Sequence, residues 1–210
     1  GGEPKPAAGP APEPAAPAAS VPSAAAARAA FVGAARCAGC HAAESEAWRG
    51  SHHDQAMQVA DEGSVLGDFR DAALAGFPTL TRFFRRDGGF WVTAEGPDGK
   101  PADFEVKYAF GVDPLQQYLV ELPGGRLQVL PVAWDTHAGR WFPLTAGENP
   151  GPGDPFHWTG RYQSWNAMCA ECHSTDLRKG YDEATDTYAT TWAEIDVACE
   201  RRHLFPVHEQ

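Results

Sequence analysis

The pattern Cys-x-x-Cys-His occurs twice in this chain, and it constrains the fold more than any other feature of the sequence. The two copies are Cys37-Ala-Gly-Cys40-His41 and Cys169-Ala-Glu-Cys172-His173. Two thiols three positions apart lie on one turn of chain, where each can form a thioether to a haem vinyl group. The histidine that follows is then placed under the ring as the proximal ligand of the iron. Both segments are therefore predicted to carry covalently attached haem c.

Two other chemistries also use paired cysteines. Four thiolates from two pairs can bind zinc, and a single pair can serve a thioredoxin-like redox reaction. Zinc ribbons do not need a histidine directly after each pair, whereas both pairs here have one. The thioredoxin-like alternative lacks the pattern of a parallel sheet. We therefore favour haem attachment.

The second axial ligand of each iron is harder to assign. Met168 directly precedes the first cysteine of its own motif and is a poor ligand for that haem, so methionine ligation is open only to Met57. Bis-histidine ligation is therefore expected, which generally means lower reduction potentials than His/Met ligation. The candidate distal ligands are His52 and His53, shortly after the first motif, and His157, which lies in a loop before the second.

Composition separates a tail from a folded domain. Residues 1–30 are almost entirely Pro, Ala and Gly, which cannot bury a core and predict a disordered linker. Residues 31–210 are expected to form one multihaem domain. Within it, a first haem segment (31–60) and a second one (161–210) flank a β-rich insertion (61–160).

The local patterns predict both helices and strands. Good helix formers follow the first motif over Ala42–Trp48, and Ser51 with Asp54 resembles the capping pair of another short helix. In the insertion, Thr81–Phe84 and Phe90–Thr93 flank a tight turn, and three similar turns follow at about residues 97–100, 123–125 and 135–139. The predicted fold class is α+β: short helices around c-type haems, an inserted antiparallel β meander, and little regular structure overall.

The net charge of the chain limits the kinds of partner that it can bind. The chain has 17 basic and 28 acidic residues, for a net charge of −11, which disfavours nucleic acid and anionic membrane surfaces. Redox partner proteins with a basic docking face are expected instead.

No stretch approaches the roughly 20 apolar residues of a membrane span. Attachment of haem c occurs outside the cytoplasmic membrane, so a location in the periplasm or elsewhere outside that membrane is expected. One option is that an N-terminal segment missing from this sequence tethers the domain to the membrane.

A third, incomplete copy of the motif stands near the end of the sequence. In Cys199-Glu200-Arg201-Arg202-His203, arginine replaces the second cysteine. A single thioether at Cys199 with His203 as ligand would raise the number of haems from two to three.

Several longer segments resemble one known family. They are Trp48-Arg-Gly-Ser-His-His, Leu66-Gly-Asp-Phe, Arg82-Phe-Phe-Arg-Arg-Asp-Gly, Tyr108-Ala-Phe-Gly-Val-Asp-Pro-Leu-Gln-Gln-Tyr and Trp165-Asn-Ala-Met-Cys-Ala-Glu-Cys-His-Ser-Thr. Over about residues 31–200 the chain resembles periplasmic multihaem cytochromes c of the cytochrome c-554 type, which often carry C-terminal tetratricopeptide repeats. The third site of that family reads Cys-Glu-x-Cys-His-Gly-Pro-Gly. The resemblance implies that the two complete motifs belong to a larger set, shortened here by a truncated reading frame, a degenerate gene or fragmentation.

Electron transfer is the function that the motifs and the resemblance favour, with one-electron cycling between Fe(III) and Fe(II) in neighbouring haems. No Ser-His-Asp order, phosphate-binding glycine loop or paired-carboxylate motif supports another chemistry. The alternative is a multihaem redox enzyme that acts on a small nitrogen compound or a peroxide. Such an enzyme needs one five-coordinate haem with acid–base groups over its open face.

Overall fold

A computed structural model describes residues 31–77, 79–144 and 150–200 of the chain. The predicted linker at 1–30 and the candidate ligand His203 lie outside these residues. In the part of the chain that the structure describes, no helix combines the length and the apolar character that crossing a membrane requires.

The main element is a nine-stranded antiparallel sheet. Its strands are β1 (Gln58–Val59), β2 (Ala72–Phe77), β3 (Thr79–Arg86), β4 (Gly89–Glu95), β5 (Pro101–Phe110), β6 (Leu115–Leu122), β7 (Arg126–Val129), β8 (Val132–Asp135) and β9 (Arg140–Pro143). The spatial order is β2-β3-β4-β5-β6-β8-β9, while β1 pairs with β5 and β7 pairs with β6. Strands that follow one another in sequence are thus mostly neighbours in space, as in a meander.

The hairpins form where turn residues interrupt the strand pattern. Between β3 and β4, Asp87 and Gly88 have φ angles of 52° and 79°, a left-handed conformation that aspartate and glycine adopt more readily than other residues. This turn sets Phe83 opposite Val92. The predicted pairings across the turns near residues 98, 124 and 137 are also present. The hairpin predictions are confirmed.

Aromatic rings fill the space that the sheet encloses. Phe69 meets Phe83, Phe90, Tyr118 and Trp141 edge-on, with ring centroids 5.1 to 5.8 Å apart. Phe83 and Trp141 stack face to face at 3.6 Å. Because β2 and β9, at the two ends of the strand order, are also in contact, the sheet curls into a nearly closed structure around this core.

The helices are short and lie at the Cys-x-x-Cys-His motifs and beside them. They are α1 (Ala34–Cys37), α2 (Ala42–Trp48), α3 (Trp165–Met168) and α4 (Ala170–His173), and a small hairpin of β10 (Tyr181–Asp182) and β11 (Thr187–Tyr188) follows. A 3₁₀ turn precedes α3.

The predicted α+β class is wrong, because the described chain is mostly β. The strands, which lie between the two motifs in sequence, form one sheet with its own core, and helix α3 beside the second motif contacts β7. Helix α2 is present as predicted, but it ends at Trp48, just before Gly50, whose φ of 70° is not helical. The expected second helix beginning near Ser51 is a series of turns.

Candidate haem-binding sites

Each Cys-x-x-Cys-His motif closes one turn of backbone. The amide of His41 donates to the carbonyl of Cys37 at 2.9 Å, and that of His173 donates to the carbonyl of Cys169 at 3.2 Å. All five cysteines are free thiols, and the second thiol of each complete motif is exposed. Both thiols and the imidazole of a motif therefore leave the backbone within one turn, as attachment to a single haem requires.

A cavity of about 580 Å³ adjoins the first motif. Its lining includes Cys37, His41 and Trp48 from the motif and helix α2, together with His53 and Cys199. Its volume falls within the roughly 300–1,000 Å³ of typical ligand and cofactor sites. Two thiols, two imidazoles and an indole around one cavity supply the groups that hold a haem: a thioether-forming thiol, axial ligands and an apolar wall.

The far wall of this cavity comes from the end of the described chain. Val197, Ala198 and Cys199 line it. The indole Nε1 of Trp48 donates to the carbonyl of Val197 at 3.0 Å, and the amide of Val197 donates to the carbonyl of His53 at 3.1 Å. Segments almost 150 residues apart in sequence thus enclose one space.

The imidazole at the second motif is held in one orientation. Nδ1 of His173 lies 3.2 Å from the carbonyl oxygen of Ala56. Since a carbonyl can only accept, Nδ1 carries the proton, and the lone pair of Nε2 is left for a metal. The ring of Phe110 meets the imidazole edge-on at 5.4 Å. This is the arrangement that a proximal haem ligand needs.

A buried cluster attaches the second motif to the sheet. Trp165, in α3 just before Cys169, is 0% exposed and meets Trp192 edge-on at 5.7 Å. Met57 and Ala170 are buried in the same cluster, together with side chains from β5, β6 and β7. The motif therefore follows directly from a helix that is fixed by packing.

The two sites share the segment of residues 53–56. Its first residue, His53, lines the cavity at the first motif, and its last, Ala56, accepts the hydrogen bond from His173. Three residue steps span at most about 11 Å. A second link runs through Thr175, whose hydroxyl donates to the carbonyl of Asp196 at 2.8 Å and accepts from the amide of Ala198 at 2.9 Å. The sites are therefore close neighbours.

The structure separates the candidate distal ligands. His52 and His53 are both exposed, but only His53 lines the first cavity. His157 is 1% exposed and is not part of that cavity; its Nδ1 lies 2.8 Å from the hydroxyl of Thr159, and burial lowers its pKa. Met57 is 0% exposed, inside the cluster below the second motif.

Some important groups could not be identified from the sequence. The carbonyl of Ala56 orients His173, but a backbone carbonyl leaves no mark in a residue pattern. The cavity wall at Val197–Cys199 had one signal, the incomplete third motif, which indicated a haem nearby without showing that Cys199 faces the first motif. The carboxylate of Glu200 accepts from the amide just before α1, and that of Glu194 accepts from the first amide of α1; no motif indicates either residue.

Asp196 directly precedes the wall at Val197–Cys199, and burial, together with the nearby charges of Glu194 and Asp54, raises its pKa to about 6 from 3.8. A carboxyl whose pKa is higher in the folded state destabilises the fold once it ionises, so the penalty is absent below about pH 4 and complete above about pH 6. Asp196→Asn is expected to stabilise the protein at pH 7.5 by only about 1 kcal/mol, because solvent screens the charge of a half-buried group, and to have little effect at pH 4.

Denaturant unfolding at the two pH values measures this difference. Asp87→Asn is the matched control, since Asp87 is exposed and asparagine also adopts its left-handed backbone. Equal stabilisation by Asp196→Asn at pH 4 and pH 7.5 would contradict the assignment.

Comparison with known proteins agrees with this geometry. The family model for cytochrome c554 and c-prime matches residues 36–68, the segment with the first motif and His53. The match covers 33 of the 210 residues, and over this segment the chain is similar to c-type cytochromes of the c554 type.

A solved structure, that of the outer cell wall cytochrome OcwA, is similar over 86% of this chain, with a TM-score of 0.50 and 19% sequence identity. The chain spans about a third of that protein, 34% of its length. At this identity the similarity concerns the fold. A comparison with curated proteins gives no match.

Proposed function

We propose that the chain is an electron carrier with two neighbouring haem c sites, one at Cys37, Cys40 and His41 and the other at Cys169, Cys172 and His173. Haem bound at such a site supplies an iron that takes up and releases one electron between Fe(III) and Fe(II). The observation that carries the proposal is the shared segment 53–56, which contacts both sites. Electron exchange between two centres falls steeply with distance, and this segment keeps them close.

The residues of the chain have separate tasks in this function. The four motif thiols form the thioethers, and His41 and His173 are the proximal ligands. The carbonyl of Ala56 holds the tautomer of His173 that can bind metal. Trp48 and the wall at 197–199 would cover part of a haem in the first site.

We further propose His53 as the distal ligand in the first cavity. His53→Ala is expected to convert one low-spin haem to a high-spin haem that binds cyanide, because the sixth coordination position opens. His52→Ala is the matched control: it changes the adjacent imidazole, which does not line the cavity, and should leave the spectrum unchanged. Electron paramagnetic resonance with a cyanide titration measures both. A spin change in His52→Ala alone would contradict the assignment.

Location and partners follow the same proposal. Covalent haem attachment places the chain outside the cytoplasmic membrane, and the similar OcwA is described as an outer cell wall protein. A net charge of −11 suits a redox partner with a basic docking face. Two further features, a membrane tether and a third haem attached at Cys199, stay predictions from the sequence.

The experiment that tests this function is expression with haem-attachment machinery, followed by intact-mass measurement and a spectroelectrochemical titration. We expect two attached haems, low-spin signals from both, and two one-electron steps. A high-spin haem in the unmodified protein that binds nitrite would instead support the multihaem redox enzyme. Bound zinc without Soret absorption would support a zinc site made of the four motif thiolates. A third haem would show that Cys199 is used.

A further inference from the structure

The chain that leads into the first motif is held by two carboxylates from the opposite end of the domain. Glu200 accepts from the amide of Gly33 at 2.7 Å and from the amide of Val32 at 3.1 Å. Glu194 accepts from the amide of Ala34 at 3.0 Å. Each of these bonds joins residues at least 160 positions apart.

These bonds satisfy donors that have no local partner. The first amides of a helix lack intrahelical acceptors, and the residue that precedes α1, Gly33, has no side chain with which to cap it. A carboxylate that accepts from an amide forms a charge-assisted hydrogen bond, roughly twice as strong as a neutral one. Loss of a carboxylate would therefore leave the donors of this segment without their partners.

The same two residues bracket the far wall of the first cavity. Glu194 precedes it and Glu200 follows Cys199, its last described member. At the other end of the motif segment, the indole of Trp48 donates a hydrogen bond to the carbonyl of Val197 in this wall. Hydrogen bonds at both ends of the motif segment 32–48 thus fix its position relative to the wall.

We propose that Glu194 and Glu200 are positioning residues of the first haem site. Glu200 belongs to the incomplete third motif, and it serves the first site whether or not Cys199 carries a haem. The inference rests on the proposed function, since it concerns the site that would hold the first haem.

The test compares three kinds of variant in the full chain with haem attached. Glu194→Ala and Glu200→Ala, singly and combined, remove the acceptors. Glu194→Gln and Glu200→Gln keep an amide oxygen that can accept from the same N–H groups. Glu183→Ala changes an exposed acidic residue in the turn between β10 and β11. Paramagnetic resonance signals and midpoint potentials report on each haem. Each signal is assigned to its haem with variants in which serine replaces both cysteines of one motif, Cys37 and Cys40 or Cys169 and Cys172.

We expect the alanine variants to shift the signal and the potential of the first haem and to leave the second unchanged. The glutamine variants keep a weaker, neutral acceptor and should change the first signal less than the alanine variants do, and Glu183→Ala should match the unmodified protein. Unaltered signals in folded alanine variants would overturn the inference. Equal changes in the glutamine and alanine variants would also overturn it, because charge rather than hydrogen bonding would then decide the effect.

A second measurement keeps the inference separate from the proposed function. If no haem attaches at Cys37 and Cys40, the proposed function fails for that site. Hydrogen exchange of the haem-free chain still tests the contacts: the amides of residues 32–34 should exchange at least tenfold faster in the alanine variants than in the unmodified chain. Equal exchange rates would show that the carboxylates do not hold this segment.

Discussion

Replacing both Cys169 and Cys172 with serine is expected to remove one covalently bound haem and to leave the other in place. A serine hydroxyl does not form the thioether to a vinyl group, and a haem held only by His173 would be lost on denaturation. The first motif has its own thiols and its own cavity, so attachment there should continue. Intact mass under denaturing conditions should fall by one haem, and the Soret absorbance per chain should fall by about half.

The reciprocal change, Cys37→Ser with Cys40→Ser, is the matched control and should also leave one haem. Cys199→Ser should leave both. Loss of both haems after either double substitution would show that the two sites do not assemble independently. Loss of a haem from Cys199→Ser would show instead that the third motif carries one.

Trp165→Ala is expected to destabilise the protein by about 3–5 kcal/mol, the usual effect of truncating a fully buried tryptophan. Its side chain is 0% exposed and packs edge-on against Trp192 in the cluster that joins the second motif to the sheet. The cavity left behind would also loosen the helix just before Cys169. Denaturant unfolding of the folded holoprotein measures the loss, and the signal of the second haem should broaden.

Trp91→Ala is the matched control for this substitution. Trp91 is half-buried in β4, with the guanidinium of Arg86 3.6 Å from its ring centroid, so its loss should cost only about 1 kcal/mol. If the two substitutions destabilised the protein equally, the packing of Trp165 would not be what anchors the second motif.

The features that could be predicted from the sequence are those set by nearby residues. The spacing of two thiols and a histidine fits one turn of chain, so the motifs and their candidate proximal ligands could be proposed without any tertiary information. Turn residues such as Asp87 and Gly88 specify hairpins in the same local way. Helix α2 follows from its run of good helix formers.

The proportion of strand to helix and the closure of the sheet could not be predicted from these local patterns. Each hairpin was visible, but the contact of β2 with β9 and the shared aromatic core depend on side chains from Phe69 to Trp141 meeting in space. The α+β prediction therefore gave the short helices too much weight, although the meander is the main body of the described chain. Local patterns predict which strands pair with their neighbours, and only long-range packing decides whether the sheet closes.

The sites divide along the same line. The sequence by itself predicted the chemistry: thiols spaced to form thioethers, candidate proximal histidines, and too few methionines for general His/Met ligation. Only the tertiary structure distinguished His53 from His52, because adjacent residues in a turn point in different directions and one of them lines the cavity. It also brought the Ala56 carbonyl to His173, and Glu194 and Glu200 to the chain before the first motif. Those contacts depend on hydrogen bonds between residues more than 100 positions apart, which no local pattern encodes.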